Sequence, residues 1–324
     1  MMTNPEVTTP DPQAAAPRGP RVRFVRKSRV RQRVTEFCIE RSLFLFAFAS
    51  MLITGAILYI LVSESVPFFR EVSPLQFLFG TRWSPIIQPQ SFGVLPIVSG
   101  TLIIVVLSGI VAIPLGLAIA IYLSEYAGPR QRAIIKPVLE VLAGIPTVVY
   151  GYFAVMFVTP LLQRFDESIP FFNAVSASIV VGIMILPMVA SLCEDALRSV
   201  PVSLRQGAYA LGATSYETTL TVVVPAALSG ILAAFILAVS RALGETMAVA
   251  LAAGTGISAE IPDGILQPVL TMTSYIVQVV IGDAPHGTVE YNTIFAVGLV
   301  LFMMTFALNI IANRIRKRFR EVYE

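Results

Sequence analysis

Charge is scarce in this chain: Asp, Glu, Lys and Arg make up 13% of its 324 residues, where a soluble globular protein carries about 25%. Cysteine is nearly absent, and Cys38 and Cys193 offer neither a disulfide framework nor metal-ligand spacing. The single histidine, His286, stands between Pro285 and Gly287 and reads as a solvated loop residue. No lysine follows a glycine, so the Gly-Lys-Ser/Thr ending of a phosphate-holding Walker loop is missing. The Gly-x-Ser-x-Gly elbow and the His-Glu-x-x-His helix are missing too. The pairs Asp166-Glu167 and Glu194-Asp195 read as loop residues that solvation explains. These absences exclude a disulfide scaffold and a Walker-type ATPase, and they disfavour a membrane enzyme.

What the chain has instead is apolar length. Residues 42–63, 83–124, 141–163, 168–193, 218–240 and 291–313 contain no charged side chain. Each run is at least as long as the roughly 20 residues a helix needs to cross the hydrocarbon core. Backbone groups in lipid must be satisfied within the segment, so the runs are expected to be helices, and none alternates as a barrel strand does. The expected fold is all-α, a polytopic membrane protein with six transmembrane helices at about 43–63, 97–123, 138–160, 175–193, 226–252 and 293–313. Pro170 and Asn173 delay the fourth span.

Lysine and arginine set the orientation. With both ends inside, the cytoplasmic segments hold nineteen basic residues and the outer ones three, Arg70, Arg82 and Arg164. Residues 1–40 are expected to be a basic cytoplasmic tail and 321–324 a cytoplasmic end, with a membrane domain at 41–320 between them. The Pro-, Ala- and Thr-rich stretch 1–20 reads as disordered, and no signal peptide precedes the first span. The basic run Arg21–Arg33 directly precedes a span, which makes it a topology signal and a contact for anionic membrane lipid; nucleic acid is not an expected partner.

Between spans four and five lies a cytoplasmic segment, 194–225, of helical composition. Gly212 reads as a break between two short helices, and Pro225 stands near the next span. Within it, Gln206-Gly207-Ala208, then Gly212, then Val222-x-Val224-Pro225 resemble the E-A-A-x3-G-x9-I-x-L-P signature of bacterial ABC importer permeases. Gln206 and Gly207 depart from its first two places, while the Gly and Pro spacing matches. The resemblance implies the type I importer permease fold. It also implies that the loop, with Arg205, Gln206, Gly207, Ala208, Gly212 and Pro225, couples to an ATPase subunit.

A second resemblance covers most of 40–320. Phe77–Pro85, Phe92-Gly-x-Leu-Pro96 with Gly100-Thr101, Ala143–Gly151 and Ser240–Met247 are similar to the PstC family of phosphate permease subunits. That family implies inorganic phosphate import across the bacterial inner membrane. It implies a homologous PstA-type permease, a PstB-type ATPase dimer, a PstS-type extracytoplasmic phosphate-binding protein and a PhoU-type regulator as partners. The chain itself is then expected to bind no cofactor, with ATP and Mg held by the partner ATPase.

Arg241 and Glu245 fall inside expected span five, four residues apart and so on one helical face. A charge at that depth is costly unless it faces a partner or a cavity. One reading is a dry internal salt bridge. The other, which the resemblance favours, is a substrate path in which the Arg241 fork takes phosphate oxygens and Glu245 weakens the grip. Ser240 and Thr246 flank the pair as weaker candidates. Pro114, Pro146 and Pro187 lie inside expected spans, as kinks or hinges. Two rival readings stay open: an ABC permease for another oxyanion or small solute, and a stand-alone channel or secondary carrier.

Overall fold

The computed structural model describes residues 29–256, 258–282, 285 and 287–318, and of 29–35, 316 and 318 the backbone alone. The expected tail 1–20, most of the basic run, His286 and the end 321–324 lie outside the described residues. The first helix, α1 (Arg29–Glu71), contributes its residues up to Ile57 to one compact unit, and everything after them forms a second. From Glu36 to Ile57 no side chain is buried. A helix stretch that is apolar on all sides and covered on none is suited to a lipid surround.

The second unit opens with the end of α1, then α2 (Pro74–Phe79), β1 (Arg82–Ser84) and β2 (Ser91–Phe92). Helix α3 (Leu95–Ile121) runs into a π turn over Tyr122–Tyr126. Next come α4 (Pro129–Gly144), α5 (Thr147–Phe153), a π turn at Ala154–Val158, α6 (Thr159–Gln163) and α7 (Ala174–Arg198). The loop helices are α8 (Val202–Ala210) and α9 (Ser215–Thr218), followed by a π turn at Thr219–Val223 and α10 (Val224–Ala226). The chain continues through α11 (Leu228–Leu243), α12 (Met247–Ala253), β3 (Ala259–Glu260), α13 (Met272–Ile281) and α14 (Val289–Arg318).

Small residues bring the central helices together. A methyl group on Gly116 of α3 would lie 2.7 Å from Val189 Cβ of α7, and one on Gly182 of α7 would lie 2.9 Å from Val111 Cβ of α3. This reciprocal glycine-to-valine fit lets the two backbones approach, which is how helices associate where lipid removes the hydrophobic drive. Gly230 of α11 abuts Ala196 of α7 in the same way. Around these contacts, buried aliphatic side chains such as Ile104, Val181, Ile185 and Ile231 form one core.

A second cluster explains one of the sequence motifs. Phe77 and Trp83 are fully buried with Phe68, and the Trp83 ring meets Tyr275 edge-on at 4.8 Å. Strand β1 pairs antiparallel with β2 and β3, so the otherwise helical fold carries a small sheet at this cluster.

Among the described residues four helices are long and apolar enough to cross a membrane, at 36–71, 95–126, 174–198 and 289–315, and the number is six if each of two bent helix pairs is one span. The bends correct two expected spans. The third, 138–160, is broken after Gly144, and the helices on either side meet at 91°. Pro146 has no amide hydrogen to donate and pushes Ile145 into extended geometry, which ends α4 there. The fifth, 226–252, bends by 69° at Ala227 and breaks again at Gly244–Thr246, so it is two helices. Glu194 and Asp195 also lie within α7 and not in a loop, since that helix runs on to Arg198. Overpacking the α3–α7 contact costs about 1–3 kcal/mol. Gly182→Leu should therefore lower the melting temperature of the purified protein in detergent, while Gly55→Leu, with nothing within 4 Å of its added carbon, should leave it unchanged.

Candidate functional site

The break that ends α11 builds the site. The Glu245 amide donates to the Ala242 carbonyl at 3.1 Å, a tight last turn, and Gly244 closes the helix. The Glu245 carbonyl in turn accepts from Thr273 Oγ1 of α13 at 2.8 Å, which pins the non-helical segment in place. Glu245 thus stands just past the helix end, not one turn along a continuous face.

Its carboxylate is buried, with the side chain 3% exposed. Oε1 accepts the Ala248 amide at 3.3 Å, and Oε2 faces Arg241 Nη1 at 3.6 Å. The Arg241 side chain is 51% exposed, so the pair is open on its guanidinium side. One loose contact leaves most of a guanidinium's five donors uncommitted, and they border a cavity of about 420 Å³. That cavity lies among α4, the start of α5, α7 and the end of α11. The flanking candidates behave differently. Thr246 Oγ1 turns back to the Gly244 carbonyl at 3.3 Å, and Ser240 Oγ is buried without a hydrogen-bond partner. Neither joins the ion pair.

At the other end of the same cavity is a cluster that sequence reasoning missed. Glu194, 2% exposed, is approached by Lys136 Nζ at 3.1 Å, Arg198 Nε at 3.1 Å and Arg132 Nε at 3.8 Å. A signal was present, because Arg132 and Lys136 are four apart, as are Glu194 and Arg198. Nothing in the sequence places those two helix faces together.

The loop from Ser199 to Ala227 begins at the end of α7. No residue of α8 is buried, and Leu211 just beyond it is 91% exposed. Gly212 takes φ +86°, a left-handed conformation that suits glycine, and there the chain breaks between α8 and α9 as expected. A capping box of Thr214 and Glu217 starts α9. Gln206, Gly207 and Pro225 are exposed and Ala208 partly so. Arg205 is not on that outer face. Its Nε and Nη2 reach Glu125 at 3.2 and 3.0 Å, and its nitrogens also donate to the carbonyls of Val200 and Leu197. The guanidinium therefore ties α8 to the π turn that follows α3, to the Leu197 carbonyl in the last turn of α7 and to the Val200 carbonyl just beyond it.

A bundle of broken and continuous apolar helices, with one exposed loop of short helices, is the architecture of an importer's membrane subunit. Residues 112–321 match the family described as binding-protein-dependent transport system inner membrane component, and the chain belongs to that family. Among similar proteins, a probable ABC transporter permease, YqgH of Bacillus subtilis, is 38% identical over 72% of this chain and 75% of its own length. The phosphate transport system permease PstC of Haemophilus influenzae is 32% identical over 83% of this chain and 89% of its own. A crystal structure of a bacterial alginate ABC transporter superposes with a TM-score of 0.58 at 14% identity, covering 88% of this chain and 98% of that one. This last likeness shows the fold alone.

The Arg205 anchor makes a direct expectation. Removing charge-assisted hydrogen bonds of this kind costs about 2 kcal/mol, roughly a thirtyfold loss of protection. Arg205→Ala should raise amide hydrogen exchange across Val202–Thr218 by about that factor and leave α7 above Glu194 unchanged, read by mass spectrometry.

Proposed function

We propose that this chain is a PstC-type permease subunit, one half of a heterodimeric pore that moves inorganic phosphate into the cytoplasm under the drive of a partner ATPase. The observation that carries the reading is the one-sided pair. Arg241 presents a half-exposed guanidinium to a cavity, backed by a buried Glu245, in a chain related to phosphate permeases.

The chemistry follows from that geometry. A guanidinium stays charged at any relevant pH and its planar fork fits two oxygens of a tetrahedral anion. Left alone in a low-dielectric path it would bind too tightly for release. Glu245 sits near enough to reduce the net charge the anion meets, and its own burial and bond to the Ala248 amide fix its position. Phosphate near neutral pH still carries a proton that a carboxylate can accept as a hydrogen bond, whereas sulfate has none to offer.

In this reading both termini are cytoplasmic, in keeping with nineteen basic residues on that side against three outside. The exposed α8 surface, with Gln206, Gly207 and Leu211, receives a PstB-type ATPase, which holds the ATP and Mg. The chain binds no cofactor of its own. A PstA-type permease completes the pore, a PstS-type protein delivers phosphate from outside, and a PhoU-type regulator acts on the assembly.

Labelled phosphate uptake in cells lacking the chain tests this reading. Wild type should restore uptake that excess sulfate does not inhibit. Arg241→Ala, at equal amounts in the membrane, should lose at least about tenfold, as expected for one charge-assisted contact to the anion. Sulfate-sensitive uptake would point to another oxyanion, and undiminished uptake by the alanine variant would reduce the pair to architecture.

A further inference from the structure

The cavity that Arg241 borders has a second cation at its far end, and the helix register fixes how far away it is. Gly230 of α11 abuts Ala196 of α7, and the two helices run in opposite directions on either side of one loop. Arg241 is eleven residues beyond Gly230, or about 16 Å at 1.5 Å per residue, which brings it level with Ile185 of α7. Ile185 and Met184 line the cavity there, and Lys136 and Glu194 line it at the loop end. Between them the wall is largely apolar, with Leu139, Pro187 and Met188.

Both ends repeat one arrangement. Arg241, 51% exposed, is backed by Glu245 at 3%. Lys136, 38% exposed, is backed by Glu194 at 2%. At the loop end the carboxylate is shared three ways, because Arg198 and Arg132 claim its Oε1 at 3.1 and 3.8 Å. Arg132 also donates to the Leu123 carbonyl. The sharing is incomplete, since Arg132 Nε and Glu194 Oε1 are buried with no hydrogen bond. Glu140 also lines the cavity, one turn from Lys136 on α4, and Asp195 is exposed on α7, but neither forms an ion pair with these three cations. Glu194 alone pairs with all three cations, so Lys136 is only partly satisfied and keeps an open side toward the cavity, where a cation attracts an anion.

We propose that Lys136, positioned by Glu194 and reinforced by Arg132 and Arg198, is a second, loop-side binding station for a phosphate-type oxyanion. The inference rests on the transport reading above. An anion released from Arg241 crosses the apolar stretch and is taken by Lys136 before it leaves toward the cytoplasm. Two held positions with weak grips favour net movement over trapping, because Arg241 is partly neutralised by Glu245 and Lys136 by its share of Glu194.

The test uses the complete transporter, with its partner subunits, in nanodiscs of phosphatidylcholine alone and of phosphatidylcholine with phosphatidylglycerol. Acetylation of Lys136 in the wild-type protein is followed by mass spectrometry with and without inorganic phosphate, and exposed Lys317 serves as the control. Phosphate should slow modification of Lys136 about fivefold or more in both lipids, the occupancy effect of a binding anion, and leave Lys317 unchanged. Protection that comes from phosphatidylglycerol, with none from added phosphate, would assign the cluster to a lipid headgroup and overturn the proposal, as would no protection at all. In proteoliposomes, Lys136→Gln should slow phosphate uptake about tenfold while Lys136→Arg stays within about threefold. Equal rates for Lys136→Gln and wild type would also overturn it. If the wild-type transporter moves no phosphate, the transport reading itself fails, and that outcome is distinct from normal transport with an indifferent Lys136.

Discussion

Glu245 is almost wholly withdrawn from solvent, and its carboxylate is held by the Ala248 amide and by Arg241 at 3.6 Å. Burying an ionised carboxylate is costly unless it is paired and hydrogen-bonded, and here the pairing is deliberately one-sided in its exposure. The carboxylate gives up its water while the guanidinium keeps an open side. That arrangement depends on the chain leaving helical geometry at Gly244–Thr246, since a continuous helix would run both side chains along one face. It also depends on Thr273, whose hydroxyl satisfies the Glu245 carbonyl that the break exposes. The separation of α11 from the short helix α12 and the position of Glu245 beyond the helix end follow from this break.

The same economy of charge governs the loop. Several of the charged residues near this end of the bundle pair with one another. Arg205 joins α8 to Glu125 in the π turn that follows α3, to the Leu197 carbonyl in the last turn of α7 and to the Val200 carbonyl just beyond it. Helices α3 and α7 are themselves locked by the reciprocal contacts of Gly116 with Val189 and Gly182 with Val111. Arg205 and these glycine contacts thus connect α8 to the two helices at the centre of the fold. Arg198 and Glu194 lie within one turn of that anchor, which places the loop-side charge cluster next to α8.

Much of the fold was legible because apolar length and charge distribution are properties of the sequence itself. The spans at α3, α7 and α14 fall close to where runs without charge put them. The bend after Gly144 was signalled by Gly144-Ile145-Pro146, since the effect of proline on its predecessor is local. The break at Gly244 was not, because the residues that hold it open include Thr273, 28 positions later. Arg241 and Glu245 stood out by being charged within an apolar run. Glu194 did not stand out, as its burial comes from α4 packing on α7 and no local pattern encodes that. The inward anchoring of Arg205 has no local signal either, because its partner Glu125 is 80 residues away. Contacts across long sequence separation are what a reading of one sequence lacks.

The central claim is that the exposed guanidinium, not merely an ion pair, is what the path requires. Exchanging the two charges, Arg241→Glu together with Glu245→Arg, keeps a pair of opposite sign at the same place while presenting a carboxylate to the cavity. Phosphate uptake by the exchanged variant, measured at matched amounts of assembled transporter in the membrane, should remain at the background of cells lacking the chain. Recovery to the wild-type rate would show that any pair suffices there, and would contradict the account.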